Sequence, residues 1–209
     1  MISLAAAMAL AATSPQTTPP RLPPVERCTG DGGFDRFRAA LADAVARKDP
    51  RALRLLTAND ILSNYGGGAS WKEFASTWNL DHPQHSRLWK ELQEALGLGC
   101  APTEGGGRVF PGMFEDMGDD EDPFALVVAR PGAVLRAAAT ESSAAVATLD
   151  WHSALIVEEP PENPLVKVKL VDGREGWLKS SDMLSPLGYR LVVEKRDGRW
   201  KITSLIAGD

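Results

Sequence analysis

Apolar residues follow two different periods along this chain. From about Phe34 to Lys48 they recur at helical spacing. Phe34, Phe37, Leu41, Ala44 and Val45 form one stripe, and Arg36, Arg38, Asp43, Arg47 and Lys48 lie off it. Asp49-Pro50 restarts the chain. Asp49 is suited to cap, and Pro50 fits the first helical position, where its missing N–H costs nothing. A short second helix over about Pro50 to Thr57 follows, with Leu53 and Leu56 facing the first. Ile61 to Tyr65 reads as a short strand closed by Gly66-Gly67-Gly68. Ser70-x-x-Glu73 is a capping box that opens a third helix with the stripe Trp71, Phe74, Trp78. Asp81-His82-Pro83 ends it. Ser86 to Leu96 forms a fourth helix, and Gly97 and Gly99 suit its end.

Residues 101–123 read as loop, rich in Gly, Pro and acid. From Leu126 the period becomes two. Strands are predicted at Leu126–Arg130, Ala133–Ala137, Ala144–Leu149, Ser153–Glu158, Leu165–Val171 and Arg174–Lys179, with turns at Pro131-Gly132 and Asp172-Gly173. A last hairpin pairs Tyr189–Lys195 with Arg199–Ile206. In it Trp200 and Ile202 alternate with Lys201 and Thr203, so one face is buried. The class is therefore α+β: a helical region, a small β module, and a C-terminal hairpin free to pair with the helical part. The divisions are residues 34–122, 126–184 and 189–206.

The N-terminus has its own pattern. Ile2 to Ala12 is a short apolar run with small residues at Ala9 and Ala11, followed by a polar, proline-rich tract. That order predicts a signal peptide over 1–12, a Pro/Gly-rich linker over 13–33, and a periplasmic or extracellular protein. The alternative is an Ala-rich tail. Cys28 and Cys100 are either one bridge or two free thiols, and export favours the bridge. Six tryptophans and a hydrophobic fraction of 44% exclude wholesale disorder. A net charge of −5 argues against a nucleic-acid partner, which would select a basic patch. No run is long enough to span a bilayer as a helix.

The β stretch resembles a bacterial SH3-like domain. The residues that carry the likeness are Val134–Ala137, Ala145–Leu149 and above all Val166-Lys167-Val168-Lys169-Leu170-Val171-Asp172-Gly173-Arg174-Glu175-Gly176-Trp177-Leu178. The resemblance implies a barrel that binds cell-wall glycopeptide or peptide in an aromatic-lined groove. Trp151 and Trp177 are its candidate aromatics, and Asp172 and Glu175 its candidate polar rim. The flanks resemble the front and closing hairpin of cystatin-like α+β rolls of the nuclear-transport-factor class. That likeness rests on Phe37-x-x-x-Leu41, Asp49-x-x-Ala52-Leu53, Gly66–Gly68, Phe74, Trp78 and Asp197–Ile202. It implies that the barrel is inserted in one domain. It also implies a conical pocket lined by Phe74 and Trp78, with Asp60 as the one nameable acid.

Nothing in the sequence assembles a catalytic centre. There is no Gly-x-Ser-x-Gly elbow and no phosphate loop at either glycine triplet. His82-x-x-His85 lacks a third ligand in its own segment. The acidic run Glu115, Asp116, Asp119–Asp122 lacks the alternating spacing of a calcium loop. The sequence thus predicts a non-enzymatic envelope protein or interaction scaffold. It needs no metal or cofactor, and its partner is peptidoglycan, a peptide or a protein. The alternative is a small-molecule-binding or enzymatic roll.

Overall fold

The computed structural model describes residues 21–64, 66, 69–115, 122, 124–159 and 163–208. The predicted signal, the first part of the linker, most of the acidic run and two of the glycines at 66–68 lie outside them. Along the chain the elements are β1 (Val25–Glu26), α1 (Gly32–Ala46), α2 (Pro50–Leu56), β2 (Thr57–Leu62), α3 (Trp71–Thr77), α4 (Leu88–Gly97), β3 (Gly99–Pro102) and β4 (Arg108–Phe110). They continue with β5 (Leu126–Ala129), β6 (Ala133–Arg136), β7 (Ala145–Leu149), β8 (Ser153–Glu158), β9 (Leu165–Leu170) and β10 (Glu175–Lys179). The last are β11 (Met183–Leu184), β12 (Arg190–Arg196) and β13 (Arg199–Ile206). Helices and two separate sheets make the fold α+β.

Local chemistry starts the helices. The Asp31 carboxylate accepts from the Gly33 and Phe34 amides at α1, and Asp49 accepts from Arg51 and Ala52 at α2. Ser70 accepts from Glu73 at α3. The predicted stripe of α1 is its buried set: Phe34, Phe37, Leu41, Ala44 and Val45. It packs on a sheet of order β1-β3-β4-β12-β13-β2. Phe110, Leu191, Val193, Trp200, Ile202 and Leu205 supply the sheet side of that core. The terminal hairpin turns at Asp197-Gly198, both in left-handed conformation, and pairs with β4 and β2.

Two expectations change here. Residues 101–123 are not loop throughout: β3 and β4 pair antiparallel and extend the sheet. They are only four and three residues long, so their own pattern is weak; pairing of β4 with β12 holds them. The tail of the predicted linker is also not a linker. β1 runs parallel to β3, with Val25 opposite Gly99 and Glu26 opposite Cys100. A side chain at Gly99, whose φ is +81°, would collide with the Val25 carbonyl, so the glycine admits the close approach. Residues 21–28 form a strap. The Leu22 amide donates to Trp151 O at 2.7 Å, and Arg21 Nε donates to Asp150 O at 2.8 Å.

Residues 126–184 form a second sheet, ordered β11-β5-β8-β9-β10-β6-β7. Val127 of β5 and Leu149 of β7 share one buried cluster although they lie near opposite ends of that order. The sheet is therefore curled around its inner face. Its outer face at β5 and β11 docks on the first half: Val128 and Leu184 meet Leu98 and Met113, and Arg130 pairs with Glu94. Gly176 sits where β10 crosses β6. A Cβ there would lie 2.7 Å from both Arg136 O and Leu135 Cγ. Gly176→Ala is expected to cost about 1–3 kcal/mol by overpacking. An unchanged denaturant midpoint would contradict that close approach.

Candidate functional site

The β9–β10 hairpin positions the candidate binding residues. Gly173, at φ +87°, turns the chain, and its amide donates to Leu170 O at 2.9 Å. Asp172 Oδ1 accepts from the Arg174 amide at 3.1 Å, and Oδ2 accepts from Arg174 Nε at 2.8 Å. The Arg174 guanidinium, above all, holds the Asp172 carboxyl below its ordinary pKa. Both oxygens are thus committed to the turn. Asp172 therefore holds the turn, because an Asx turn engages the carboxylate locally.

Beyond the turn, strand alternation separates two faces. Gly176 and Leu178 point into the curled core, and Glu175 and Trp177 point out. Trp177 lies opposite Lys167 of β9 on one side and Arg136 of β6 on the other. Glu175 lies opposite Lys169, which lies opposite Leu155 of β8. Leu155 is 45% exposed. Lys167 Nζ reaches Glu175 at 3.2 Å, a half-exposed pair that contributes little stability. Arg136 donates to Ser143 O at 2.9 Å. The face is thus an aromatic ring flanked by two cations, with Lys169, Glu175 and an exposed leucine beside it.

Trp177 differs from the other tryptophans. Trp71, Trp78, Trp89 and Trp200 lie in or against the helical core, and Trp151 packs on the cluster between the two halves. Trp177 belongs to none of the three clusters.

The predicted pairing of Trp151 with Trp177 in one groove does not occur. Trp151, at φ +57°, packs with Leu98, Met113, Val128 and Leu184, beneath the strap. The docking of the two halves explains its partial burial. His152 accepts at Nδ1 from the Asp150 amide at 2.9 Å.

The remaining candidates separate as well. Phe74 is 1% exposed and Trp78 7%, both packed within the helical core. Asp60 is exposed and lines an open surface groove with Arg54 and Lys201. His82 and His85 join no group of three metal-ligating side chains among the described residues. Glu26, Cys28 and Cys100 do lie together, but the two sulfurs are bonded to each other. Arg136 and Lys167 were not singled out from the sequence. Their signal was available in strand register: each faces the same outer row as Trp177.

Compared with known proteins, the chain matches no family model, no curated protein and no solved structure. No described helix is long and apolar enough to cross a membrane.

Proposed function

We propose that this is a non-enzymatic binding protein of the cell envelope, whose curled sheet captures an acidic glycopeptide or peptide on its outer face. The observation that carries the reading is Trp177, half-buried outside every core cluster between Lys167 and Arg136. An indole face stacks on sugar rings or peptide side chains, and flanking cations pair with carboxylates. The likeness of residues 166–178 to an SH3-like signature supports the same assignment. The Cys28–Cys100 bridge supports an oxidising compartment, as the N-terminal pattern does.

Retention on purified peptidoglycan, with a peptide array in parallel, tests the proposal. Trp177→Ala is expected to weaken capture about 30-fold, the loss of a hot-spot aromatic worth roughly 2 kcal/mol. Its place on the outer face, outside every core cluster, makes the substitution milder for folding than a core truncation. Retention that persists in the variant would sink the assignment. So would a wild-type protein that neither peptidoglycan nor any peptide retains.

A further inference from the structure

A groove on the outside of the helical half runs between α1 and α4 and encloses about 590 Å³. Val45 and Trp89, both buried, form its floor, and Leu96 extends the apolar surface along α4. Ala42 and Ala46, one turn apart on α1, are exposed along the other side. Their small side chains leave room for another backbone to come close. Among the described residues, Lys48 and Lys90 are the only charged groups that line the groove. No carboxylate does.

The two lysines stand at one end. Lys48 lies just past α1, and its ammonium donates to Gln84 O at 3.5 Å, ahead of α4. Lys90 is in the first turn of α4, and Leu96 is in its last. The groove is therefore basic at one end and apolar at the other. Neither lysine has a carboxylate partner among the described residues. The acids nearest them in sequence are engaged elsewhere: Arg47 pairs with Asp43 and Asp49, Arg87 with Glu91, and Arg130 with Glu94. Unpaired cations beside an apolar floor select an anionic partner and repel a basic one. A groove between two packed helices receives the ridge of a third. Another copy of the chain does not supply that helix from its described residues. Leu55 is the one large apolar side chain exposed on a described helix, and its helix, α2, carries Arg51 and Arg54 and no acid.

We propose that this groove docks an acidic amphipathic helix of a partner protein. The apolar row of that helix packs on Val45, Trp89 and Leu96, close against the alanines of α1. Carboxylates at one end of it pair with Lys48 and Lys90. The site is independent of the sheet face around Trp177.

Fluorescence anisotropy with a labelled synthetic helix of about 14 residues, roughly 20 Å long, tests this on the full chain. Its leucines recur at helical spacing, and glutamate and alanine fill the other positions. A second probe carries lysine in place of each glutamate. The acidic probe is expected to bind saturably and the basic probe about tenfold more weakly. Lys48→Glu combined with Lys90→Glu should weaken the acidic probe about tenfold and strengthen the basic one, as two exposed ion pairs become repulsions. Ala46→Gln, at an exposed position, narrows the groove without changing its charge and should also weaken the acidic probe. Trp177→Ala should bind that probe as the wild type does, which separates this site from the sheet face. Four results would each overturn the proposal: no saturable binding of the acidic probe, equal affinity for the two probes, the doubly reversed variant binding the acidic probe unchanged, or loss of that binding in Trp177→Ala.

Discussion

Replacing Cys28 and Cys100 together by serine is expected to lower stability by about 4 kcal/mol, the chain-entropy value for a loop of this length. The bridge joins residues separated by 72 positions. Both cysteines are buried against the helical core, so the loss is not confined to the surface. The bridge also anchors the strap. The Arg27 amide donates to Cys100 O at 2.8 Å, Arg27 reaches Gly112 O at 3.3 Å, and Glu26 pairs with Arg38 at 2.6 Å. Farther along, Leu22 packs into the cluster between the halves, and Arg21 pairs with Asp150. Opening the bridge should thus expose the strap amides as well as lower the midpoint. Denaturant melts with and without a dithiol, read beside hydrogen exchange at residues 22–28, measure both. A midpoint indifferent to the dithiol, in a protein shown by mass to be reduced, would contradict this role.

Phe34→Ala is expected to cost about 3–5 kcal/mol, at the upper end for a core truncation. Phe34 is fully buried. Its ring lies 6.1 Å from Phe110, 6.2 Å from Phe37 and 5.1 Å edge-on from Trp200. It therefore joins α1 to both β4 and β13, and few of its neighbours can collapse into the space it leaves. The Arg108 guanidinium stands over the Phe34 and Trp200 rings at 5.7 and 5.2 Å. Its Nε has no hydrogen-bond partner among the described residues, so the ring faces are its compensation there. Removing Phe34 takes away one of them. Thermal unfolding should show a drop of roughly 10 °C for a domain of this size. A drop of only one or two degrees would mean that the core repacks around the cavity.

The stripes of α1 and α4 were legible because helical periodicity and burial coincide in them. The caps at Asp49 and Ser70 were legible because they act within three residues. Asp172 shows the limit of that reasoning. Its neighbours announce a hairpin, but its two-oxygen engagement by Arg174 shows only in the folded turn. Trp151 and Trp177 looked equivalent in sequence. One is covered by the docking of the two halves and the other is not, and no local pattern encodes that difference.

By itself, then, the sequence determined the α+β class, the helical stripes, the two tight hairpin turns and the outward alternation of Glu175 and Trp177. These depend on interactions over a few residues, where propensity and period act directly. Tertiary structure alone decided three other features. They are the strap across both halves, the pairing of β3 with β4, and the loss of Trp151 to an interface. Each depends on which distant surfaces meet, and that follows from the packing of the whole chain.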